Sequence, residues 1–270
     1  MNKYKYPDPG DHITYTTISK YECNRKDYWC RSESLALSRI ANILSSKGGL
    51  NDSMLDIGCG EGRLLDYFGK YFNAIYAIEP DKDRFRNVKL LVKQWPDSNK
   101  FELSDDLFLD FKGGPFDFIL CSHVIQHIST EDLLSFMKNI YKIGKNKAIV
   151  AVTTTHSNQE HDIFIKSEIL NNRIVDTKIS PSEFNTIVEG QIGLLPICFF
   201  NAEKLIALFT GLGLELLDYY VFHVENVNVP NKPDDVFVDE FINSRDDLKK
   251  KYGRDMLLIF QKSNHYTYAD

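Results

Sequence analysis

Apolar and polar positions fall into blocks along the chain, and the period of the blocks switches in a regular way. Leu37, Ile40, Ala41 and Leu44 recur at helical spacing, and Gly48-Gly49 stops that helix. A short apolar run at Met54, Leu55 and Ile57 reads as a buried strand, after which Leu64, Leu65, Tyr67 and Phe68 open a helix. Residues 74–78 form a second strand, and the helix behind it carries Phe85, Val88, Leu91 and Val92 on one side. A third strand centres on residues 101–103, and a fourth begins at Phe116. Ser129-Thr130-Glu131-Asp132 reads as a capping box for a helix with Leu133, Met137, Ile140 and Tyr141 inward and Gly144 as its stop. Residues 147–154 are an almost unbroken run of Ala, Ile, Val and Thr, the pattern of a parallel strand covered on both faces.

That alternation predicts an α/β sheet with helices on both sides. It breaks at residues 156–199, which are mixed, polar and only patchily periodic, with Pro181 and Gly190 as breaks. The segment is too long for an ordinary connection, so it is read as an insertion. Asn201 then caps a helix through Leu205, Leu208 and Phe209 that ends at Gly211. Residues 214–223 and 256–261 are two more strands, with short helices between them around Val236–Ile242 and Ser244–Asp247. Residues 1–28 form an irregular, Tyr-rich arm with a short helix near Ile18. The division that follows is an N-terminal arm and helix (1–50), a core (51–155), an insertion (156–200) and a C-terminal part of the same sheet (201–270).

The turn between the first strand and its helix carries the chemistry. Gly58, Gly60 and Gly62 follow Asp56 as D-x-G-x-G-x-G, so the backbone can turn tightly with its N–H groups exposed. The second strand ends in Glu79, about 20 residues after the loop, where an acid can bond a ribose hydroxyl pair. Asp105 and Asp106 follow the third strand, and Cys121-Ser122-His123 closes the fourth. These four ordered matches over residues 54–128 resemble the motifs of class I methyltransferases that depend on S-adenosylmethionine (SAM). The resemblance implies a Rossmann-like seven-stranded sheet in the order 3-2-1-4-5-7-6, with the last strand antiparallel. It implies SAM as cofactor, lying against Gly58, Cys59 and Gly60, with its amino group at Asp56 directly or through water. Glu79, next to Pro80, would hold the ribose, Asp105 or Asp106 the adenine amino group, and Cys121 and Ser122 the methionine end. Asp105 matches the family spacing better than Asp106. Tyr28 and Trp29 either wall this site or pack their segment on the core, and Arg31 either meets the methionine carboxylate or stands as a surface charge. The insertion sits where such enzymes carry substrate-binding additions, so residues 156–199 are assigned to a substrate lid, the alternative being an elaboration remote from the site.

Methyl transfer needs alignment above all, and a base only where the acceptor must lose a proton. His123, His127, His156 and His223 all fall near carboxyl ends of strands, the edge where open α/β sheets bind ligands. His156 is the candidate base, against the alternative of a satisfied polar side chain. His123 and His127 have no acidic or Cys partner at a metal-ligand offset, and family members use the position of His127 structurally. Net charge is −6, which argues against a nucleic-acid binder, although a local basic patch would not show in the total. The five cysteines have no C-x-x-C spacing and read as reduced thiols in a cytoplasmic protein. Neither a signal peptide nor a membrane-length apolar stretch is present in the sequence. The pattern sets no oligomeric state. The function implied is methyl transfer to a small polar metabolite or natural-product intermediate, with oxygen as acceptor. A peptide carboxylate or tRNA, and a non-catalytic SAM-binding module, are the alternatives. A NAD-dependent enzyme fits the glycine spacing less well.

Overall fold

In a computed structural model the structure describes residues 26–46, 51–171, 173–190, 194–224 and 228–263. The N-terminal arm, its short helix near Ile18 and the Gly48-Gly49 stop lie outside them. The elements run in the order α1 (Lys26–Ser46), β1 (Asn51–Ile57), α2 (Arg63–Gly69), β2 (Phe72–Ile78), α3 (Lys82–Val92), β3 (Phe101–Ser104), β4 (Phe116–Ser122), α4 (Leu133–Ile143) and β5 (Gly144–Thr155). They continue with β6 (Ile163–Leu170), β7 (Arg173–Lys178), α5 (Pro181–Val188), β8 (Leu195–Phe199), α6 (Ala202–Gly211), β9 (Leu214–Phe222), α7 (Val238–Asn243), α8 (Asp246–Lys249) and β10 (Asp255–Lys262).

The main sheet has seven strands in the order β3-β2-β1-β4-β5-β10-β9. Strands β1 to β5 pair in parallel, and β10 is antiparallel to both of its neighbours. With β9 and β10 as the sixth and seventh core strands, this is the order 3-2-1-4-5-7-6. Alternate residues of each central strand feed opposite layers, as a two-residue side-chain period requires. Val150 and Val152 of β5 and Leu258 and Phe260 of β10 join Phe136, Met137, Ile140, Leu205 and Phe209 on one face. Ile149 and Ala151 of β5 and Leu257 and Ile259 of β10 meet Ala36, Ile40, Leu44, Leu65 and Val88 on the other. The sheet is therefore buried on both sides, which is why β5 reads as a continuous apolar run.

Caps end the helices largely where the sequence signals them. The Asn201 side chain accepts from Lys204 N at 3.0 Å, and Ser129 and Asp132 bond reciprocally ahead of α4. Gly144 stops α4 in an extended conformation (φ −76°), so the chain passes straight into β5. Two regions differ from the sequence reading. Trp29 and Arg31 lie inside α1, because the helix starts at Lys26. The described residues of 156–199 carry regular structure, with β6 central in a second antiparallel sheet of order β7-β6-β8. Those strands were hard to read because Lys166, Glu168, Asp176 and Lys178 interrupt the apolar alternation and the core beneath is thin, mainly Ile165, Leu195 and Ile197. The module is rooted at the end of β5: Phe200 N donates to Thr155 O at 3.2 Å and Ser157 N to Phe200 O at 2.8 Å.

Candidate active site

The loop after β1 is folded against two strands at once. Gly58 N and Cys59 N both donate to Ile78 O, at 2.8 and 3.0 Å, which draws the loop over the end of β2. Gly58, Gly60 and Gly62 all have left-handed φ, at 69°, 58° and 86°. At Gly58 an added Cβ would stand 2.5 Å from Val124 Cγ2, so glycine is required there by both conformation and space. Glu79 completes the cradle: its Oε2 accepts from Gly60 N at 2.8 Å and its Oε1 from Asp81 N at 2.9 Å. Each oxygen keeps acceptor capacity for a further hydroxyl.

Asp56 lies at the floor of this loop, 1% exposed, and its Oδ2 has no hydrogen-bond partner among the described residues. Burial pushes its carboxyl up to about 7, with the Glu79 charge adding and Arg63 opposing. A buried carboxylate oxygen without a donor is what a cationic amino group would satisfy. Burial also pushes the thiols of Cys59 and Cys121 up, so neither is a thiolate at neutral pH. Pro80 is half-buried beside Glu79. Beyond β3, Asp106 is taken by Ser104, whose Oγ donates to it at 2.8 Å, and Asp105 is exposed. Ser122 Oγ and Thr153 Oγ1 bond at 2.9 Å across the ends of β4 and β5. This set of a glycine cradle, an unsatisfied buried acid and a second acid with spare lone pairs fits SAM.

The other half of the edge differs from the sequence reading. His156 is 4% exposed. Its Nδ1 lies 3.2 Å from Gly253 O and its Nε2 3.4 Å from Tyr219 OH. The carbonyl can only accept, so Nδ1 carries the proton and Nε2 receives the Tyr219 hydroxyl. With both nitrogens engaged, His156 joins β5 to the β9–β10 end, and the expected base function finds no support in its geometry. His127 Nδ1 donates to Pro196 O at 2.6 Å and burial lowers its pKa to about 4. It is structural, yet the carbonyl it holds belongs to β8, 69 positions away. Arg31 is exposed and lies 4.1 Å over the Phe237 ring. Trp29 stacks on His223 at 3.6 Å, with Arg254 on its ring at 5.2 Å. Neither Trp29 nor Arg31 meets the glycine loop in these contacts; α1 meets the start of α2 through Glu33, whose carboxylate accepts from the Arg63 guanidinium at 2.8 Å.

Residues far apart in sequence build that half. His223 Nδ1 and Asp255 Oδ2 are 2.6 Å apart, both side chains 3% exposed. Asp255 is held down at about 2 against its own burial, by the His223 hydrogen bond and then Arg254. Tyr28 OH donates to Asp239 Oδ1 at 2.7 Å and to Val224 O at 2.8 Å. Ser32 Oγ donates to Asp239 Oδ2 and accepts from His223 N at 2.8 Å. The fully buried Asp239 thus ties α1 to the end of β9. In sequence, the signal for Asp255 was an acid opening an otherwise apolar strand.

The family described as a methyltransferase domain matches residues 28–219. An uncharacterized protein of Methanocaldococcus jannaschii is 26% identical over 170 residues, which is 62% of this chain and 71% of that protein. The N-methyltransferase NodS of Bradyrhizobium japonicum, solved with S-adenosylhomocysteine (SAH), superposes with a TM-score of 0.56 at 11% identity, covering 94% of this chain and 99% of that one. The 1,6-didemethyltoxoflavin-N1-methyltransferase of Burkholderia thailandensis gives 0.54 at 13% identity, over 96% and 92%. At such identities the structural likeness speaks for the fold, and the family match speaks for the chemistry. The chain belongs to the methyltransferase-domain family and is a class I enzyme that depends on S-adenosylmethionine.

Proposed function

We propose that this enzyme methylates a small polar metabolite, with SAM seated on the β1–β4 half of the sheet edge and the acceptor on the β5–β9 half. The observation that carries this reading is the placement of residues 156–199. They form a separate small sheet pinned to the carboxyl end of β5 and to the segment after β4, through the Phe200–Thr155 and His127–Pro196 bonds. A module fixed there stands beside the end of the cofactor site at which transfer takes place, and acts as the substrate lid. SAM supplies an electrophilic methyl group. Asp56 would receive its amino group, Glu79 its ribose hydroxyls and Asp105 its adenine amino group. Gly58, Cys59, Gly60 and Pro80 would line one side, and Cys121 and Ser122 the methionine end. These residues hold and orient, and near-attack alignment of this kind is worth several kcal/mol, of order ~7–11 at its limit.

Oxygen is the acceptor atom we favour. Nitrogen is the second reading, because NodS and the didemethyltoxoflavin enzyme are both N-methyltransferases. The test is transfer of labelled methyl from SAM into a fractionated metabolite extract, alongside SAH calorimetry. Label entering only protein or RNA would defeat the small-acceptor reading, and failure to bind SAH would defeat the cofactor assignment.

A further inference from the structure

We propose that His223, held by Asp255, is the base that takes the acceptor's proton, and that the acceptor's nucleophile is therefore a hydroxyl. The inference rests on the methyl-transfer reading above and deepens it.

His223 has the arrangement of an oriented base. Asp255 accepts from Nδ1–H, so the ring proton is fixed on Nδ1 and the lone pair on Nε2. That Nε2 is buried and has no partner among the described residues. Buried polar atoms are ordinarily paired, so one left open on a ring oriented by a carboxylate calls for a ligand. The pair also sits on the ligand edge. Asp255 is the register partner of Thr155 on one side and of Phe222 on the other. Two strand spacings, about 10 Å, separate it from β4.

A second histidine supplies the complement. Thr154 Oγ1 donates to Gln126 Oε1 at 2.9 Å, which turns the Gln126 amide nitrogen toward His123 Nδ1 at 3.2 Å. His123 Nδ1 therefore accepts, and its proton lies on Nε2. The Phe222 ring packs near both histidines, with centroids 6.4 Å from His123 and 4.6 Å from His223. Both residues hold left-handed backbone, φ 55° at His123 and 52° at His223. One ring offers an N–H and the other a lone pair. A hydroxyl can accept from one and donate to the other, a carboxylate has no hydrogen for His223, and a neutral amine attacks without needing a base. In the step, the hydroxyl oxygen's electron pair bonds to the methyl carbon. The methyl–sulfur pair stays on sulfur as SAH, and the hydroxyl proton passes to His223 Nε2 and then to solvent.

The test uses the full chain with labelled SAM and three probes: 4-nitrocatechol, 4-nitrophenol and benzoate. Methyl transfer to a hydroxyl probe is expected, with kcat down about 10²–10³-fold in His223→Asn while KM and SAH affinity stay within about threefold. Asp255→Asn should lose about 10–10²-fold and move the His223 proton to Nε2, read by ¹⁵N-histidine NMR. Unchanged kcat, or parallel loss of SAH affinity and thermal stability in both variants, overturns the proposal, as does transfer to benzoate alone. If no probe takes label, the wild-type spectrum with SAH decides. An unprotonated His223 Nε2 that shifts when 4-nitrocatechol is added upholds it; a protonated or unresponsive one overturns it. Absence of SAH binding would instead refute the cofactor assignment itself.

Discussion

The two halves of the sheet edge are assembled in different ways. On the β1–β4 side, Asp56, Gly58, Gly60 and Glu79 come from one strand–loop–helix–strand unit and meet through bonds spanning 19 or 20 positions, such as Gly60 N to Glu79. On the β5–β9 side, the Tyr28–Asp239 bond spans 211 positions and His223 N–Ser32 spans 191. The first half is a local motif and survives wherever its backbone survives. The second exists only when the N-terminal helix, β9, α7 and β10 are all in place. The motifs that resemble those of the family lie in the local half.

The sharpest way to test that division is to break each half separately. Gly58→Ala should have the largest effect, abolishing measurable SAH binding by calorimetry, because its Cβ would collide with Val124 in a conformation already left-handed. Asp239→Ala should do the converse. It strips partners from Tyr28 and Ser32 and is expected to lower stability by about 2–4 kcal/mol in denaturant unfolding, with SAH affinity nearly unchanged. Equal losses of binding and stability in both variants would erase the distinction. Glu79→Ala comes next, with an affinity loss of roughly tenfold or more from about 1.5–3 kcal/mol of charged hydrogen bond. Unchanged affinity would remove Glu79 from the ribose site.

The smallest effects are on pH, and they have opposite signs in the two halves. Asp56 is raised to about 7 in the fold, so between about pH 4 and pH 7 the folded chain binds a proton the unfolded chain has lost. That contribution weakens as pH rises across the window. His127 is lowered to about 4, so from about pH 6.5 down to 4 the unfolded chain binds the extra proton and stability falls. Each slope is at most about 1.4 kcal/mol per pH unit. Thermal unfolding against pH should therefore steepen on the acid side for Asp56→Asn and flatten for His127→Gln. If SAM's amino group meets Asp56, binding near neutral pH should also release a fraction of a proton, measurable by calorimetry in buffers of different ionisation enthalpy.

The same contrast explains what could be read from sequence. The strands of the main sheet, the buried β5 run and the glycine loop were legible, because side-chain period and glycine spacing act over a few residues, whereas the strand order came with the resemblance to the family. The strands of residues 163–199 were not, since their alternation is interrupted by charge and their core is thin. His156 and His223 looked alike as histidines after strands. What separates them is the neighbours each meets: Gly253 and Tyr219 engage both nitrogens of the first, and Asp255 engages one nitrogen of the second. No local pattern encodes that difference.

The position of β10 carries a consequence for how the chain is made. This strand is synthesised after β9 yet inserts between β9 and β5. Until it arrives, the long β5 edge, with Ile149, Val150, Ala151 and Val152, has no partner on that side, and β9 has no sheet to join. An apolar parallel strand with an open edge is a template for pairing with another chain. On the ribosome, residues 144–155 wait while about 100 more are added, at roughly 5–20 residues per second, for some 5–20 seconds. An open apolar edge of this kind exposes the nascent chain to mispairing during that interval.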